Sequence, residues 1–315
     1  MNRVCSTIVG PAESDVPPAV LVHGVLAWGD DETYGFGRQR PLGASRRLIL
    51  MDRRGHGDSP DLDGAHRTDY EVDAADIVEL LGDGAHLVGH SYGAVAAMLA
   101  AVERPDLVRS LCLIQPGCLK VAESEPVVAE NLARARASQV TLPPELTAED
   151  YLRLITESVG MPPAEPTPKR LRAAATSMRE RPCWDADIPL ESLAAAPWPK
   201  LVVVGDWAGA PDEYKRLAGD PLTVTARVVA DRIGGELLEV PGFYPHVQQP
   251  ERVNEALEEL WSRADARWRE VGRRRRRPSR RTSTAPPRHR RRLPPQAMRD
   301  RLPDRRFRSP AFPSP

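Results

Sequence analysis

Gly89-His90-Ser91-Tyr92-Gly93-Ala94 is the stretch of this chain best suited to chemistry. It follows the apolar run His86-Leu87-Val88 and precedes the small-residue pattern Val95-Ala96-Ala97-Met98-Leu99-Ala100-Ala101. Gly-x-Ser-x-Gly between a strand and a helix predicts a sharp turn with the serine at its apex. A turn this tight strains the serine backbone, and Cβ atoms at positions 89 and 93 would crowd it, which accounts for the glycines. The hydroxyl is then lifted above the strand end, and the helix aims its first amides at whatever binds there. Such a serine suits nucleophilic attack on a carbonyl carbon once a base takes its proton.

The flanking chain supplies the elements that must hold this turn. Ala19-Val20-Leu21-Val22 and Arg47-Leu48-Ile49-Leu50-Met51 are continuous apolar runs of strand length, the pattern of parallel strands covered on both faces. The spacing predicts a helix over Tyr70 to Leu81 and a further strand over Leu107 to Ile114. Strands follow at Lys200 to Val204 and Glu236 to Val240, with a helical stretch over Ala226 to Ile233 between them and a last helix from Glu251. Strand–helix alternation at this spacing implies right-handed crossovers and an α/β fold, a mostly parallel sheet flanked by helices.

Between Gly117 and Leu193 the pattern is helical without strands. Thr147-Ala148-Glu149-Asp150 resembles a capping box, and Thr167-Pro168 an N-cap with proline at the first helical position. The expected organisation is a core in two parts, residues 1–116 and 194–271, an inserted helical lid over 117–193, and a tail over 272–315. The tail carries 16 Arg and nine Pro with almost no large apolar residues, so disorder is expected there.

The formal net charge is zero, yet the charge is segregated. Arg273 to Pro315 holds 16 Arg against Asp300 and Asp304, and the body carries 28 basic and 42 acidic residues, so a tail at +14 follows a body at −14. The four cysteines, Cys5, Cys112, Cys118 and Cys183, show neither metal-ligand spacing nor a disulfide framework, and no metal or cofactor is expected. No apolar run reaches 18 residues and no signal-like segment opens the chain, so a cytoplasmic protein acting on a small molecule, without membrane contact, is the expectation.

The chain resembles the α/β-hydrolase superfamily, in its lid-bearing esterase and lipase branch, over roughly residues 18 to 262. The resemblance rests on His23-Gly24 after the first core strand, Asp52-Arg53-Arg54-Gly55-His56-Gly57-Asp58-Ser59 after the second, and the elbow at Gly89 to Ala94. Glu103-Arg104-Pro105-Asp106-Leu107-Val108 and Pro250-Glu251-Arg252-Val253-Asn254 also match. It implies that Ser91 is the nucleophile, that a histidine held by a carboxylate moves its proton, and that the amides of Val25 and Tyr92 stabilise the oxyanion.

The sequence departs from the family in two places. Where the acid usually stands stands Ala208, leaving Asp206, or else Asp212, as the carboxylate at that strand end. Where the histidine usually stands stands Phe243, and His246 lies three residues later. The expected site is therefore Ser91, His246 and Asp206 with Val25 and Tyr92. Two functions compete: a carboxylesterase-like serine hydrolase acting on a small apolar ester, lactone or thioester, and a degenerate, non-hydrolytic member that binds a ligand. Nucleic-acid contact through the Arg tail is a third reading, disfavoured because the tail lacks aromatic interleaving.

Overall fold

Alternate residues of the apolar strands face opposite sides of one sheet, which is why these strands read as unbroken hydrophobic runs. The computed structural model describes residues 3–63, 68–137, 143, 145–158 and 164–276, and the expectation for the tail beyond Arg276 lies outside them. Seven strands form the sheet: β1 (Ser6–Val9), β2 (Ala19–Val22), β3 (Leu48–Met51), β4 (Ala85–His90), β5 (Val108–Ile114), β6 (Lys200–Gly205) and β7 (Glu236–Val240). Their order is β1-β3-β2-β4-β5-β6-β7. Every neighbouring pair is parallel except β1 with β3. The edge strand β1, Ser6-Thr7-Ile8-Val9, was not anticipated. It is short, and its half-polar alternation is masked by the prolines that follow.

Val20, Val22, Met51 and Leu87 pack on one face against α1 (Tyr70–Leu81) and α2 (Tyr92–Glu103). On the other face Leu21, Leu48, Leu50 and Val88 meet the C-terminal α10 (Pro250–Arg276) through Val253, Leu257, Leu260 and Trp261. Each such side chain contributes about 1.5–3 kcal/mol by leaving water. The edge strand β7 exposes Glu236 and Glu239 and buries Val240. Cys112 is buried in the core as a small hydrophobe, and burial raises its thiol pKa.

Between β5 and β6 the chain runs through α3 (Pro126–Ala137), α4 (Ala148–Ser158), α5 (Pro168–Ser177) and α6 (Leu190–Ala195). The Thr147 hydroxyl accepts from the Asp150 amide at 3.1 Å, and the Thr167 hydroxyl from the Arg170 amide at 3.2 Å. Helix α5 is tied to the loops after β2 and β3. Arg170 grips Asp31 through both guanidinium nitrogens, at 2.7 and 2.8 Å, and the Thr176 hydroxyl donates to the Gly55 carbonyl at 2.6 Å. After β6 come α7 (Asp212–Tyr214) and α8 (Asp220–Ile233), and after β7 comes α9 (Pro245–Gln248). Helix α8 begins at Asp220 rather than Ala226; Pro221 near its start permits the extra turn that apolar periodicity alone did not reveal. Among the described residues no helix is long and apolar enough to cross a membrane.

Candidate active site

Strain marks one edge of the sheet. Among the described residues, four that are not glycine adopt a positive φ: Leu26 at 58°, Ser91 at 51°, Gln115 at 45° and Trp207 at 59°. Each follows the carboxyl end of a parallel strand, β2, β4, β5 and β6 respectively. Backbone held in a sparsely populated region costs of order 1–3 kcal/mol per residue and collects where function fixes geometry. The carboxyl edge is also where open α/β sheets bind ligands.

Ser91 has φ 51° and ψ −112° and sits immediately before α2. Its amide donates to the Ile114 carbonyl at 2.9 Å, while its carbonyl accepts from Ala94 at 3.1 Å and Gly117 at 3.2 Å. These bonds hold the turn against its strain. A Cβ at Gly89 would stand 2.6 Å from both the Ala94 Cα and the Gly93 carbonyl, and one at Gly93 would collide with the carbonyls of Val22 and His23. Gly24 is constrained as well, since its Cβ would meet His90 Nδ1 at 2.8 Å and Ser91 Cβ at 3.1 Å. The loop bearing Val25 thus lies against the serine. Neither the Val25 nor the Tyr92 amide is taken by a described acceptor. Two amides beside a serine at a helix N-terminus are the donors that a developing oxyanion requires.

The three residues expected to serve as a triad are not hydrogen-bonded to one another. His246, in α9, is fully buried, its ring 4.4 Å from that of His90 and 5.0 Å from that of Phe36. Neither ring nitrogen makes a well-formed hydrogen bond, so no bond joins it to the Ser91 hydroxyl. Burial lowers its pKa to about 4, against a smaller opposing pull from the backbone at Tyr34 and Gly35. Its carbonyl accepts from Gln39 Nε2 at 2.8 Å, which pins α9 to the loop after β2.

Asp206 is exposed and binds two backbone amides, Ala208 at 2.8 Å and Gly242 at 2.9 Å. Those two bonds hold its carboxyl below the usual carboxylate range. The carboxylate thereby ties the loop after β6 to the loop after β7, where a Cβ at Gly205 would collide with the Gly242 carbonyl. Asp212 is exposed in α7. Phe243 packs beside Trp207 and Tyr214, ring centroids 6.2 and 6.0 Å away, and its amide donates to Gln248 Oε1 at 2.8 Å.

A buried ionic cluster stands behind the loops that carry the two amides, and motif reading alone did not single it out. Arg53, wholly buried, donates to Asp73 at 3.1 Å and to Glu180 at 2.8 Å. It also donates to the Gly24 carbonyl at 2.9 Å, and its guanidinium lies 4.1 Å from the centre of the Tyr92 ring. Its amide donates to His23 Nε2 at 3.1 Å. Burial pushes the Glu180 carboxyl up to about 7, against the pull of Arg53. The sequence signal was an arginine two residues past a fully apolar strand, where a buried charge needs a partner. Its partner Glu180 lies 127 residues away. Val25, Tyr92, Tyr151, Ser177, Glu180 and Trp184 line a cavity of about 420 Å³ between these loops and the helical insertion.

The comparisons with known proteins agree with this geometry. Residues 19–257 match the model of the Alpha/beta hydrolase family. Over 107 residues the chain is 33% identical to the sn-1-specific diacylglycerol lipase of Mus musculus, covering 32% of this chain and 33% of that protein. Over 119 residues it is 31% identical to the pimeloyl-[acyl-carrier protein] methyl ester esterase of Aeromonas salmonicida, covering 37% and 44%. The chain therefore spans less than half the length of these curated relatives. Among solved structures, a thermophilic esterase from Thermogutta terrifontis aligns with a TM-score of 0.52 at 25% identity, covering 83% of this chain and 94% of that one. A hydrolase from Pseudomonas aeruginosa aligns with a TM-score of 0.57 at 21% identity, covering 81% and 92%, a likeness of fold alone. The parallel sheet, the strained serine at its carboxyl edge and the match over residues 19–257 place this chain in the alpha/beta hydrolase family.

Proposed function

We propose that the protein is a serine hydrolase of the esterase type, taking a small and largely apolar ester, lactone or thioester. The observation that carries this reading is the backbone of Ser91, held at φ 51° at the start of α2 beside two unengaged amides, those of Val25 and Tyr92. Ser91 Oγ attacks the carbonyl carbon as its proton passes to water, and the carbonyl oxygen becomes an oxyanion between the two amides. The bond to the leaving group breaks as that group takes a proton from water, giving an acyl-serine that water then hydrolyses to the acid and free Ser91. Each amide is worth roughly 3–4 kcal/mol to such a step. Tyr151, Trp184 and Val25 give the adjoining cavity an apolar lining for the acyl chain. The curated relatives that share sequence with the chain include a diacylglycerol lipase and a methyl ester esterase, which supports an ester substrate.

The second reading, a ligand-binding protein without turnover, is favoured by one observation. Among the described residues no imidazole is bonded to Ser91, because the ring nitrogens of His246 make no well-formed hydrogen bond and position 243 is phenylalanine. Loss of the base costs roughly 10⁴-fold or more in hydrolases of this kind, so turnover is expected to be slow. Incubation with a fluorophosphonate, followed by mass spectrometry of the tryptic peptides, separates the readings. Covalent label on Ser91, abolished in Ser91→Ala, is the expected result. An unlabelled Ser91 in folded protein would leave only the binding function.

A further inference from the structure

Among the described residues, the cluster around Arg53 sets two carboxyls against one guanidinium. Arg53 faces two carboxylates, Asp73 at 3.1 Å and Glu180 at 2.8 Å, and all three are withdrawn from bulk water, with the Glu180 side chain 10% exposed. The other groups at hand do not balance it. His56 Nε2 stands 3.8 Å from Glu180 Oε1, but His23 and His56 are fully buried, and burial holds both well below their ordinary pKa, so they stay neutral. Arg181 lines the same cavity but pairs with Asp69 at 3.2 Å and Glu71 at 3.1 Å. Tyr92, Tyr151 and Cys183 are held protonated by burial.

One oxygen of Glu180 accepts from Arg53, and the carboxylate reaches the wall of the cavity beside Val25 and Tyr92. Tyr151 and Trp184 stand on that wall too. A carboxylate with an unbalanced charge, set among aromatic side chains in a partly enclosed cavity, is the arrangement that recognises a cation.

We infer that Glu180 is a ligand-recognition residue, and that the cavity takes an acyl compound whose far end carries an ammonium group seated against Glu180 and the rings of Tyr151 and Trp184. The inference rests on the proposed placement of the acyl carbonyl at the amides of Val25 and Tyr92, and it does not require turnover. Burial raises the carboxyls of both Asp73 and Glu180, the latter to about 7, so when no ligand is bound a proton on this pair makes up the charge. The bound ammonium displaces that proton, so binding releases a proton at neutral pH and is tightest where Glu180 is already ionised.

The test is a calorimetric titration of the full chain with n-hexylammonium chloride and, separately, with 1-hexanol, which matches it in length and lacks the charge. At about pH 8.5 the ammonium is expected to bind about tenfold more tightly or better. The preference should shrink to below about threefold near pH 5.5, because Glu180 takes up a proton while the alkylammonium, with an amine pKa near that of lysine, keeps its charge. Glu180→Gln should abolish the preference at both pH values, and Trp184→Leu should weaken it while leaving the Arg53–Glu180 pair in place. Equal affinity for the two compounds at high pH, a preference that does not change with pH, or a preference that survives Glu180→Gln would overturn the inference. If Glu180→Gln does not fold, the wild-type pH series decides alone. Because the readout is binding, a failed fluorophosphonate label leaves this inference standing, and a failed ammonium preference leaves the hydrolase reading standing.

Discussion

The imidazole of His246 packs against that of His90, ring centroids 4.4 Å apart and ring planes tilted by 54°, and both rings are buried. His90 directly precedes Ser91, and its ring lies against Gly24 of the loop after β2, against Tyr244 and against His246. A histidine packed this way, with both nitrogens lacking partners, fills space as an aromatic side chain would.

Replacing His246 by leucine is therefore expected to leave stability at neutral pH unchanged or slightly improved, since two unpaired buried polar atoms are removed at similar volume. Fluorophosphonate labelling of Ser91 should persist. Complete loss of labelling in a variant with native circular dichroism would show that the ring reaches Ser91 in solution.

Restoring the family's residues tests the same site from the other side. Phe243→His together with Ala208→Asp is expected to raise hydrolysis of p-nitrophenyl butyrate by about 10²-fold or more, and by more than the product of the single changes, because triad members act as a unit. Steady-state rates of the two single variants and the double variant decide it. Rates that merely multiply would show that no triad has formed.

Asp206 offers a sharper contrast. Its carboxylate bridges the amides of Ala208 and Gly242, so Asp206→Asn, which keeps one acceptor oxygen, should loosen the two loops modestly and leave the labelling rate of Ser91 within about threefold. A catalytic acid would lose about 10⁴-fold on the same change.

Sequence and structure divide along physical lines. Local signals carried the sheet and the elbow: continuous apolar strands, the glycines at 89 and 93, and caps at Thr147 and Thr167 all report on neighbours a few residues away. What stayed hidden depends on distant partners. Nothing local in Glu180 reveals that Arg53 waits across 127 positions of chain. Nor does Pro245-His246 reveal that the ring turns inward onto His90 and Phe36, since that follows from the pinning of α9 by Gln39, which is 207 positions away. The antiparallel β1 carries no such signal because Ser6 and Thr7 break the continuous apolar run by which the equally short β2 and β3 are read.

Arg53→Met is expected to be among the most damaging single changes in the chain. It removes the guanidinium that pairs with two buried carboxylates, and breaking a buried ion pair from one side costs about 3–5 kcal/mol. Urea unfolding should show that loss at neutral pH, and Asp73→Asn in the Arg53→Met background should recover part of it by removing a stranded charge. Full additivity of the two changes would place Asp73 and Arg53 in separate environments.

Stability against pH brings the buried groups together with opposite signs. His23, His56, His86, His90 and His246 all have folded pKa values lowered by burial, the last to about 4. For a base with a depressed folded pKa, the unfolded chain takes up the proton first. Stability is therefore fully present above about pH 6.5 and is lost as pH falls from there toward 4. Glu180 runs the other way. Its folded pKa is raised to about 7, so its contribution is fully present below the unfolded value of 4.5 and declines as pH rises through 7. Burial raises Asp52 and Asp73 as well, so five histidines stand against three carboxyls, and the net expectation is a melting temperature that falls on acidification below about pH 6.5. Glu180→Gln removes one of the opposing contributions, and should make that acid loss steeper between about pH 7 and 4.5 while His246→Leu makes it shallower. Differential scanning calorimetry across this range checks both slopes. An acid loss left unchanged by Glu180→Gln would show that its carboxyl titrates like an exposed one.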